Sequence, residues 1–140
     1  MELPTAASDA VRQKLKEVRG ILLTLHKALL DSERTSYELI HGNVASPAAF
    51  LQLLINDPWF AWLRPVTTLV VQIDEALAAK NPPKTERDFA QLLEDTRALL
   101  SPSREADDFW KRYLGAVQRD PGVALLHEQM EKQLTCQNRK

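Results

Sequence analysis

Apolar residues recur every three or four positions along most of the chain, the spacing that gathers them on one side of an α-helix. Val11, Leu15, Val18, Leu22, Leu25 and Leu29 form the longest such seam. It meets Ser32 and Ser36 before apolar character returns at Leu39 and Ile40. This pattern predicts a first helix from a cap at Ser8 or Asp9 to about His41. Gly42-Asn43 suits its end, because both residues tolerate the left-handed conformation. Unbroken, such a helix is about 50 Å long. It either breaks near Asp31–Ser36, projects beyond the bundle, or packs its far end on a short helix. Ser32 and Ser36 fit a polar pocket, but fraying or a solvent-facing end explains them more simply.

Later boundaries are marked by proline. Ser46-Pro47, Asp57-Pro58, Ser101-Pro102 and Asp120-Pro121 each place a capping side chain before a residue whose missing N–H costs nothing in the first turn. Ser46-Pro47 opens a short helix with Phe50, Leu51, Leu53, Leu54 and Ile55. After Asp57-Pro58 the stripe Trp59, Trp62, Val66, Leu69, Ile73 and Ala76 runs straight through Pro65. That predicts one helix, kinked near Ala61–Arg64 and ending near Lys80. Thr85 and Asp88 stand at capping-box spacing before Phe89, Leu92, Leu93, Thr96, Leu99 and Leu100. Phe109, Trp110, Tyr113, Leu114 and Val117 give the next helix an aromatic face, with Gly115 allowing a close crossing. The last helix turns Val123, Leu126, Met130 and Leu134 inward.

No stretch alternates with a period of two, and no Asn-Gly or Asp-Gly hairpin signal occurs. The expected fold is an all-α bundle of four main helices, the first one long, with one or two short additions. One domain spans residues 1–140, with flexible tails at 1–8 and 135–140.

Composition narrows the function classes. Apolar content of 44% and charged content of 26% are those of a globular chain able to bury a core. A net charge of −1 offers no general attraction to phosphate backbones, so no nucleic-acid partner is expected. There is no basic start followed by an apolar stretch and no membrane-length apolar run, which points to a cytoplasmic protein without membrane contact. The single cysteine, Cys136, reads as an inert thiol in a polar tail.

Candidate chemistry is sparse. Glu38 and His41 stand at Glu-x-x-His spacing on one helix face, and a metal or small ligand would need further donors such as His127, Glu131, Asp74 or Glu75. His26 falls beside the seam, a boundary position more than that of a base. Arg12, Lys16 and Arg19, with Lys14 and Lys27 nearby, read as a solvated basic face. Lys111, Arg112 and Arg119 form a weaker group, and the scattered glycines make no phosphate loop. Trp59, Phe60 and Trp62 cannot all point one way on a helix, so they serve as core anchors or, in part, as an interface.

Phe60-Ala61-Trp62-Leu63-Arg64-Pro65, Ile73-Asp74-Glu75 and Arg119-Asp120-Pro121 together resemble a group of small, uncharacterised bacterial helical proteins. The likeness runs from the first helix to about Leu134. It implies a bacterial, cytosolic, all-helical protein and transfers no catalytic residue. The expectation is a non-enzymatic bundle without a cofactor, acting on a protein partner or a second copy. The competing expectation is a metal- or ligand-binding bundle using Glu38 and His41.

Overall fold

The computed structural model describes residues 7–80, 82–101 and 108–136, and among them the chain is all-α. The helices are α1 (Asp9–His41), α2 (Pro47–Asn56), α3 (Arg64–Ala78), α4 (Glu86–Leu99), α5 (Asp108–Arg119) and α6 (Pro121–Cys136). A 3₁₀ helix, Pro58–Leu63, joins α2 to α3. No described helix is long and apolar enough to cross a membrane.

Helix α1 is unbroken over 33 residues and touches α3, α4, α5, α6 and the 3₁₀ helix. Ser8 caps it by accepting from Val11 N–H at 3.2 Å. Ser8 N–H is itself bound to Glu86 Oε1 at 2.8 Å, so the edge of the expected N-terminal tail is tied to α4. Gly42 ends α1 at φ 86° and donates its N–H to Glu38 C=O. Leu15, Val18, Leu22, Leu25 and Leu29 are all fully buried. Partner residues fix the directions of the neighbours. His26 meets Thr67 and Arg12 meets Leu77, so α3 runs antiparallel to α1. Arg119, two residues before α6 begins, meets Ser32, and Lys14 meets Gln133 near its end, so α6 returns antiparallel too. Ser8 bonds Glu86 and the Arg12 guanidinium covers the Phe89 ring, so α4 runs parallel to α1.

The proline punctuation works as the capping chemistry requires. Ser46 accepts from Ala49 N–H at 3.1 Å and Asp120 from Gly122 N–H at 2.9 Å. Asp57 serves twice, ending α2 through its N–H and starting the 3₁₀ helix through its carboxylate on Trp59 N–H. Thr85 and Asp88 form a reciprocal capping box. The helix start expected at Ser101-Pro102 and the Cys136 thiol lie outside the described residues.

Pro65 does not kink one long helix. It sits in the first turn of α3, where a missing N–H is harmless. The Ala61 carbonyl, which Pro65 cannot serve, accepts instead from Arg64 N–H. That shorter step tightens the preceding residues into a 3₁₀ helix. Leu114, expected inward, is 36% exposed, while Ala116 takes the buried position on α5.

Candidate functional site

The far end of α1 packs on the short elements, with Tyr37 against Phe60 at 5.5 Å and His41 edge-on to Trp59 at 5.8 Å. Glu38 Oε2 accepts from Val44 N–H at 2.8 Å and from Arg34 Nε at 3.4 Å. The Val44 bond above all holds its carboxyl below the usual range. His41 stacks on Tyr37 at 4.4 Å. Glu38 and His41 thus serve different neighbours. Asp74 pairs with Arg19, and His127 with Tyr113 and Glu131. Among the described residues, no group of three or more His, Cys, Asp or Glu is placed to hold a metal ion.

The aromatic run divides as the 3₁₀ geometry dictates, since residues three apart eclipse one another. Phe60 and Leu63 turn toward α2 and α1, with Phe50 edge-on to Phe60 at 5.6 Å. Trp62 turns toward α5, its ring 5.5 Å from Phe109. Phe60 and Trp62 are buried within this chain, and Trp59 is half-buried. The large apolar side chains in the open are aliphatic. Leu39 is 83% exposed and Ile40 68%, with Leu51 and Ile55 of α2 above half.

Ser32 and Glu33 are not frayed or solvent-facing; both are buried. Glu33 accepts from Trp62 Nε1 at 3.2 Å and from Arg119 Nη2 at 2.5 Å, while Arg119 Nε donates to Ser32 Oγ at 3.2 Å. This lock joins α1, the 3₁₀ helix and α5. A cleft of about 410 Å³ lies beside it, bordered by Ser36, Trp59, Arg112 and Gly115. Gly115 makes no close crossing, because a Cβ there would meet only the tip of Arg119 at 3.9 Å. The basic face of α1 is likewise not simply solvated. Arg12 donates to Leu77 C=O at 3.1 Å, Lys14 to Gln133 C=O at 2.6 Å, and Arg19 pairs with Asp74. Glu33 was invisible as a functional residue, although four positions beyond Leu29 is where the buried seam should continue.

Two further polar constellations were not legible. Tyr113 Oη and His127 Nδ1 share a hydrogen bond of 2.7 Å, and His127 Nε2 lies 3.2 Å from Glu131 Oε2. Burial, aided by the Glu131 charge, pushes the Tyr113 hydroxyl well above its usual pKa, so it stays protonated. A tyrosine with no exposed surface cannot meet a substrate, and this chain of bonds fastens α5 to α6. The second lies between α1, α2 and α3, around a cavity of about 550 Å³. His26 Nε2 and Thr67 Oγ1 share a bond of 2.9 Å on its wall, and Arg64 Nη2 donates to Ile55 C=O at 3.0 Å. Burial holds the His26 pKa below its usual value, so the imidazole is neutral near pH 7.

Comparison with protein-family models, with curated proteins and with solved structures finds no match.

Proposed function

We propose that this chain is a non-enzymatic helical bundle that works by association, and that it associates through the end where α1 runs into α2. In this reading α1, α3, α4 and α6 are the four main helices and form the rigid platform. The bacterial, cytoplasmic setting implied by the resemblance belongs to the same proposal. One observation carries it: Leu39 and Ile40, adjacent at the end of the longest helix, are 83% and 68% exposed. Scattered apolar residues on a surface need no explanation, but two neighbours this open, with the apolar helix α2 starting at Pro47 soon after them in the chain, favour a covered state. Aliphatic side chains take the role that the sequence offered to Trp59, Phe60 and Trp62. A net charge of −1 sets up little repulsion between copies, so a second copy is the first candidate partner.

Light scattering across a concentration series tests this. The wild type is expected to form a defined oligomer, and Leu39→Asp with Ile40→Asp to give a monomer with unchanged helical circular dichroism. A wild type that stays monomeric at high micromolar concentration overturns self-association.

A further inference from the structure

The most apolar short segment of the chain forms one wall of an open groove. Helix α2 carries Phe50, Leu51, Leu53, Leu54 and Ile55 within ten residues, yet none of its side chains is fully buried. Phe50 rests on Phe60, and the Arg34 guanidinium lies 4.9 Å over the Phe50 ring. Beside Leu54 and Ile55 an open space of about 550 Å³ remains, of the volume of small-ligand sites, with Arg64, Thr67 and Thr68 reaching solvent at its mouth.

The walls of this space are chemically one-sided. Leu30, Leu54, Phe60 and Leu63 supply apolar surface, and no acidic residue lines it. The one charged lining residue is Arg64. Its guanidinium makes a single hydrogen bond, to Ile55 C=O, and no ion pair with any described residue. Arg64 also borders the shallower groove between α3 and α4, where Asp95 stands, but makes no ion pair with it. Thr67 and Thr68, three and four positions after Arg64, share its helix face and also line the cavity. His26, bonded to Thr67, completes a polar but uncharged strip.

A carboxylate fits an arginine with spare donors, since the guanidinium fork matches its two oxygens. An apolar body fits the leucine and phenylalanine walls and would finish the burial that α2 lacks. We infer that the cavity under α2 binds a small amphipathic carboxylate, its apolar body against Leu30, Leu54 and Phe60 and its head on Arg64. Leu39 and Ile40 do not line this cavity, so the inference stands apart from self-association.

Calorimetric titration with decanoate, and with decanol as the uncharged counterpart, tests it. Decanoate should bind saturably at one site per chain, more tightly than decanol. Arg64→Ala should weaken decanoate at least about tenfold and leave decanol unchanged, and Arg64→Lys should recover part of the loss. Leu54→Trp, which fills the space, should abolish both. Thermal unfolding of each unliganded variant separates loss of the site from loss of the fold. Absence of saturable decanoate binding to the wild type overturns the inference. So does equal affinity for decanoate and decanol, or an Arg64→Ala variant that is folded and binds decanoate as the wild type does.

Discussion

The two ends of α1 are built on opposite terms. From Leu15 to Leu29 the helix turns only aliphatic side chains inward, five of them with no exposed surface, against α3, α4 and α6. From Ser32 to His41 the inward positions hold a serine, a glutamate and a tyrosine, while Leu39 and Ile40 face out. Backbone and helix are the same; the neighbours differ. Aliphatic burial is non-directional and supplies stability, whereas the far end depends on hydrogen bonds that accept one geometry. The near end therefore holds the fold, and the far end sets the positions of α5 and the 3₁₀ helix.

Leu22→Ala gives the largest contrast. Its side chain is fully enclosed, and the truncation should cost about 3 kcal/mol in urea unfolding through lost transfer energy and a cavity. A cost below about 1 kcal/mol would mean that the seam is looser than its burial implies. Glu33→Ala tests the other end. It strands Trp62 Nε1 and one face of Arg119, but Arg119 is 43% exposed and recovers water. We expect a loss of about 2 kcal/mol, below the full penalty for breaking a buried pair. Trp62 fluorescence should shift with it, and an unchanged spectrum and midpoint would dissolve the distinction between the two ends.

How much was legible divides along the same line. The near-end seam, Leu15 to Leu29, stood in the sequence because aliphatic burial leaves a periodic trace. So did the caps at Ser46, Asp57, Thr85 and Asp120, whose chemistry is local. The lock of Glu33 with Trp62 and Arg119 was not legible, since it joins residues 29 and 86 positions apart with no pattern between them. Pro65 misled for a local reason: the stripe is continuous through it, but a 3₁₀ helix carries a similar stripe with three residues per turn. The cavity under α2 left no trace either, because Leu54 and Ile55 look like core until their surroundings are known.

The smallest expected effect lies at the edge of the near-end seam, at His26. Burial holds its native pKa below the 6.5 of an ordinary imidazole, so below that pH the unfolded chain takes up a proton that the native state resists. Stability therefore falls as pH drops through about 6.5 toward the native pKa. His26→Gln should flatten that part of the profile relative to wild type. Parallel profiles for the two proteins would show that the site does not resist protonation.

The antiparallel pairing of α1 with α6 has a consequence for synthesis. Lys14 meets the backbone of Gln133, so α1 leaves the ribosome well before α6 is made to cover that flank. During elongation α3 and α4 can shield part of the seam, but one greasy strip stays open until translation has passed Leu134. Ribosome-bound chains stalled before Pro121 should therefore be the stage at which folding chaperones hold this protein longest.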